Sequence, residues 1–211
     1  MRSHLIMLIR TALGSVVSPI RTAGLHALRL SAPRRRVDGL ELVDLTASDA
    51  ADYFFARVTD ALALMRQQAP IAFGGIQRRL KRIALLAGGG EFYHRGLQAY
   101  VVDLPTLRKR SIPELALAIA HEAAHARIER FGIRYHPSRR ARIEQICVRA
   151  ERALAEKLPD NHVILARIAE KLSTQWWTED SLHRRRLDQL SAHGTPAWLV
   201  RLYDRWFGHS M

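Results

Sequence analysis

Cysteine is almost missing from this chain of 211 residues: Cys147 stands alone. That excludes an intrachain disulfide and any structural zinc site built from several thiolates. Histidine and carboxylate remain as the donors for a bound metal. Acidic residues are absent before Asp38, and arginine far outnumbers lysine throughout. Long apolar runs are missing as well. The stretch from Leu5 to Ile9 is far too short to cross a bilayer, and Arg10 interrupts any signal-peptide core. No internal repeat, zinc-finger spacing or aromatic-interleaved RNA-binding signature occurs.

The remaining composition is that of a globular protein, with 48% hydrophobic and 25% charged residues. The length fits one domain with a terminal appendage. The formal net charge of +13 favours anionic partners, whether nucleic acid, an acidic lipid surface or an acidic protein. Residues 1–36 form a basic amphipathic segment, in which Leu5, Ile6, Leu8, Ile9, Leu13, Val16, Val17 and Ile20 make one helical face. Such a segment either packs on its own domain or lies on an anionic membrane surface. The run Pro33 to Asp38 reads as a linker, leaving 37–211 as the main domain.

Helix is expected from Ser48, as N-cap, to Gln68, with Pro70 as the stop, and again from Ile76 to Lys81. Two strands come next, Ile83 to Ala87 and Gln98 to Asp103, separated by a turn at Gly88, Gly89 and Gly90. The rest reads as helix: Ile112 to Phe131, Ser138 to Leu158, Asn161 to Ser173, and two shorter ones. The fold class is therefore α+β, mainly helical, with a small β-sheet before the helix that begins at Ile112.

That helix carries His121-Glu122-Ala123-Ala124-His125. Ser111-Ile112-Pro113-Glu114 has capping-box spacing, and Gly132 stands where a left-handed C-cap belongs. Residues four apart on a helix point the same way, so His121 and His125 present two nitrogens to two corners of a tetrahedral zinc. Glu122, one step round, is placed to take a proton from a water on the metal and return it to a leaving group. Chance yields about 0.02 such matches per chain of this composition. Ala120, Ala123, Ala124 and Ala126 leave room for an ion and for a closely packed second helix.

A third ligand is needed, and the next helix offers Glu144 and Glu151, seven apart and nearly aligned. The pair of segments, HEAAH and then IEQICVRAERALAEKLP, resembles the glutamate-zincin (gluzincin) metallopeptidases, over roughly residues 80 to 160. The resemblance implies zinc held by His121, His125 and a glutamate of the next helix, with Glu122 as general base and acid. Glu144 is the expected ligand because the reversal at Gly132 to Pro137 is short. Glu151 then serves as an outer acceptor, or as the ligand itself where the inter-helix loop is longer. The resemblance also implies a strand, here Leu97 to Asp103, whose edge receives an extended substrate. Val148 stands where an aspartate would be expected four after Glu144. Tyr93, His94, Tyr135 and His136 are the candidates for stabilising an oxyanion.

The expected activity is zinc-dependent hydrolysis of peptide bonds in a peptide or protein substrate. The competing reading is a basic membrane- or nucleic-acid-associated binding protein with a structural or vestigial zinc site, nucleic acid being the less favoured partner. One cysteine and no secretory signal point to the cytoplasm, with residues 1–36 allowing peripheral attachment to the membrane. Arg139, Arg140 and Arg142, together with Arg184 to Arg186, are read as solvated charge. Trp176, Trp177, Trp198 and Trp206 are read as packing of the terminal helices.

Overall fold

The computed structural model describes residues 31–46, 49–87, 90–174, 187, 191 and 195–207. The expected N-terminal amphipathic helix, the cap at Ser48, the first two residues of the glycine turn, Trp176, Trp177 and Arg184 to Arg186 lie outside them. Among the described residues, seven α-helices accompany one five-stranded mixed sheet, an α+β arrangement. No helix among these residues is long and apolar enough to cross a membrane.

The sheet opens with β1 (Arg34–Val37) and β2 (Leu40–Asp44), an antiparallel hairpin. Its turn is Asp38-Gly39, with φ of 49° and 82°. Two successive left-handed residues make the turn whose twist matches the strands, and aspartate before glycine tolerates that backbone. The linker expected over Pro33 to Asp38 is thus mostly a strand and its turn. Three consecutive arginines look like solvated spacer, but β1 is an exposed edge strand held by pairing with β2 rather than by burial.

After β2 the chain crosses through α1 (Ala51–Gln68) and α2 (Pro70–Arg79) to β3 (Arg82–Leu86), parallel to β2. Phe54, Val58, Ala61, Leu62 and Met65 form one buried stripe on α1 at helical spacing. Pro70 does not merely stop α1. It stands at the start of α2, where its missing N–H costs nothing, so the second helix begins well before Ile76.

Next come β4 (Glu91–His94) and β5 (Ala99–Asp103), antiparallel to one another, with β5 parallel to β3. The order across the sheet is β1-β2-β3-β5-β4. The strand expected to offer a substrate edge, around Tyr100, is therefore interior. All five residues of β5 are buried, and its backbone is paired on both sides. The outer edge belongs to β4, a strand that the sequence did not announce. Its four half-buried residues contain a charge at one end and a histidine at the other.

A short α3 (Leu104–Lys109) leads from β5 into α4 (Ile112–Arg130), which carries the motif. The chain divides into two compact units inside α4, the first ending at Ala126 and the second beginning at Arg127. The second unit contains a 3₁₀ turn (Pro137–Arg139), α5 (Arg140–Ala155), α6 (His162–Thr174) and α7 (Ala197–Phe207), with α5 packed against α6. Trp198 is 61% exposed on α7, so it does not supply the core packing expected of it.

Candidate metal centre

Both ends of α4 are fixed by local chemistry. Ser111 N–H donates to Glu114 Oε2 at 2.8 Å, and Glu114 N–H donates back to Ser111 Oγ at 3.3 Å. This is the reciprocal capping box that the sequence predicts. At the other end Gly132, at φ 75°, donates to Glu129 O at 2.8 Å, and Ile133 N–H reaches Ile128 O at 3.3 Å. That pair of bonds is a Schellman closure. Between the caps every residue from Leu115 to Ala124 is buried, so the motif sits inside protein rather than on a surface.

His121 and His125 come together as predicted. Their Nε2 atoms lie 3.2 Å apart, with ring centroids 5.0 Å apart and planes inclined at 58°. Two nitrogens bound to one zinc at tetrahedral angles stand about 3.3 Å apart, so the pair fits a common ion without rearrangement. Without an ion the same separation is a hydrogen bond, with one ring carrying its proton on Nε2 and the other accepting. Glu122, 6% exposed, lies between them in sequence and is buried where a carboxylate needs partners.

The first unit also holds a polar network that sequence reasoning missed. Tyr100 Oη donates to Glu91 Oε2 at 3.1 Å, and the same carboxylate takes Arg110 Nε at 2.8 Å and a second bond from the Arg110 fork. Burial pushes the Tyr100 hydroxyl pKa well above its ordinary value. Glu91 and Glu122 push it further, while Arg110 partly opposes them. Glu122 therefore lies within electrostatic reach of Tyr100. No local signal could have found this network, because Glu91, Tyr100 and Arg110 come from β4, β5 and the approach to α4.

Strand alternation sorts two of the oxyanion candidates. Tyr93 pairs with Tyr100 and Glu91 with Val102, so these four share a face, the one that senses Glu122. His94 points to the opposite face, beside Phe92, and its Nδ1 accepts Leu97 N–H at 3.1 Å.

In the second unit, Glu144, Cys147 and Glu151 line one buried face of α5 and are 7%, 0% and 5% exposed. Tyr135 Oη donates to Glu144 Oε1 at 2.7 Å, and the Arg140 guanidinium lies over the Tyr135 ring at 5.6 Å. Burial and then the bond to Glu144 raise the Tyr135 pKa, with Arg140 opposing. Glu151 is held differently, by Lys171 Nζ at 2.8 Å. His136 is exposed, its Nδ1 turned to Ser138 at 2.9 Å from Oγ.

Compared with family models, with curated proteins and with solved structures, the chain matches none of them.

Proposed function

We propose that the chain is a zinc-dependent metallopeptidase of the gluzincin kind, with a zincin-like first unit. The observation that carries this reading is the 3.2 Å separation of the His121 and His125 Nε2 atoms on a doubly capped, buried helix, beside a buried glutamate. His121 and His125 would hold the zinc, with Glu144 as the proposed third donor. Cys147, on the same face of α5 as Glu144, is the alternative third donor, a thiolate being as acceptable to zinc as a carboxylate. Glu151 is the poorer choice, since Lys171 already neutralises it.

When bound, zinc supplies a Lewis acid and makes hydroxide accessible near neutral pH. The remaining work falls to side chains. Glu122 takes the proton of the attacking water and delivers it to the leaving amine. Tyr135 orients Glu144 through its 2.7 Å bond, the outer support that metal ligands usually require. Tyr93, opposite Tyr100 on the same sheet face, is the candidate donor to the developing oxyanion. The outer edge of β4 offers backbone groups to an extended peptide, replacing β5 in that role.

Metal content of the purified protein, measured by mass spectrometry, tests the ligand set. Near-stoichiometric zinc is expected in the wild type and in Glu151→Ala. It should be lost in His125→Ala and Glu144→Ala. Loss in Cys147→Ser with retention in Glu144→Ala would move the third ligand to the thiolate. Glu122→Gln should keep its zinc and lower peptide hydrolysis by roughly 10²–10⁴-fold. Full hydrolysis by that variant, or a wild type that takes up no zinc, would sink the reading.

A further inference from the structure

Between Arg130 and Arg142 the chain carries five arginines and no carboxylate. Three large apolar residues alternate through the first part of this stretch and face water: Phe131 is 72% exposed, Ile133 41% and Tyr135 51%. Arg127 lies 5.9 Å from the centre of the Phe131 ring and Arg140 5.6 Å from that of Tyr135, so both aromatics of this stretch are paired with a cation. The Gly132 closure of α4 forces the chain to turn here, which puts Phe131 at the very end of the helix and Ile133 just beyond it. Arg134 and Arg139 are exposed in the same stretch, and Arg142, Ile146 and Arg149 continue the mixture along the outer side of α5.

We infer that residues 130–142 are a docking surface for an anionic phospholipid membrane. The arginine forks match phosphate headgroups, and the Phe131 and Ile133 side chains between them enter the boundary between headgroups and acyl chains, while Tyr135 stays on Glu144. The combination selects the partner. Phosphate alone would satisfy the arginines and leave Phe131 and Ile133 in water. Single-stranded nucleic acid would stack on Phe131 and Tyr135, but Ile133 between them presents no flat face for a base. A lipid interface serves both kinds of side chain at once. The stretch is distinct in sequence from the basic segment 1–36. It does not depend on the hydrolase reading.

The test is co-sedimentation of the full chain with phosphatidylcholine vesicles, with and without phosphatidylserine, at low and at high salt. Wild type should bind the phosphatidylserine vesicles and release at high salt. Changing Arg134, Arg139 and Arg142 together to Gln should weaken binding about fivefold per arginine removed. Phe131→Ser combined with Ile133→Ser should weaken it at least about tenfold. Tyr135 and Arg140 stay untouched because they surround Glu144. These side chains are exposed, so the far-UV circular dichroism should not change. Ile133→Asn alone repeats the test should the double variant unfold. Wild-type binding by both sets of variants would overturn the proposal and assign attachment to residues 1–36. Binding of an oligouridylate without binding of vesicles would overturn it in favour of nucleic acid, and no binding to either would end it.

Discussion

Asp103 shows how much one side chain can join. It ends β5, caps α3 by accepting Thr106 N–H at 2.9 Å, and accepts Gly90 N–H at 2.8 Å through its other oxygen. Burial alone would raise its pKa, but the Thr106 and Gly90 bonds, helped by Lys109, outweigh burial and leave it below the ordinary value. A carboxylate with a depressed folded pKa stabilises the fold above its unfolded pKa and loses that contribution as pH falls through the folded one. Asp103→Ala should therefore cost about 1–2 kcal/mol near neutral pH, read as a lower urea midpoint. The gap between variant and wild type should close in acid. An unchanged midpoint at neutral pH would mean that the two bonds contribute nothing. His121, Glu122 and His125 were legible at this scale because helix geometry alone aligns them. Glu91 and Arg110 were not, since their partnership exists only after three separate segments have met.

Among the elements, α4 is the one most fully written in its own sequence. Ser111, Glu114 and Gly132 set both of its ends through bonds made within a few residues. Gly132 also gives a clean measurement. A Cβ added there would meet nothing within 4 Å, so the penalty for Gly132→Ala is purely the left-handed backbone at φ 75°. It should amount to about 1–2 kcal/mol, seen as a lower melting temperature with no change in the far-UV spectrum. A variant as stable as wild type would show that the turn relaxes at no cost. The strands were harder to read. Arg34–Val37 and Glu91–His94 are defined by their pairing, and short edge strands carry little propensity of their own. The order that makes β5 interior is set by crossovers, which no window of sequence contains. Pro70 shows the same limit: as a stop for α1 it is local, but as the first residue of α2 it depends on Ile71 to Arg79 continuing the helix.

At the scale of the molecule, two tyrosines among the described residues, one buried and one half-buried, weigh on stability in alkali. Both Tyr100 and Tyr135 have raised pKa values, chiefly through burial. In the unfolded chain each titrates near pH 10. Their contribution to stability is complete below that value and is lost as pH climbs from there toward the folded pKa. Stability should therefore fall steeply above about pH 10, and Tyr100→Phe should flatten that limb in a urea titration across alkaline pH. Equal slopes in variant and wild type would show that Tyr100 does not hold its proton in the fold.

The strand order also decides how the molecule can be assembled. The β1–β2 and β4–β5 hairpins each join neighbouring stretches of chain and can close quickly. Neither completes the sheet. Ile83 of β3 faces Leu42 on one side and Tyr100 on the other, so β3 is the bridge between them. One of its contacts closes a loop containing both α1 and α2, an entropic cost that must be met before the pairing is gained. Pairing of this five-residue strand with β2 is thus expected to follow the closure of either hairpin. Until it arrives, the inner edges of both hairpins stay open to pairing with other chains.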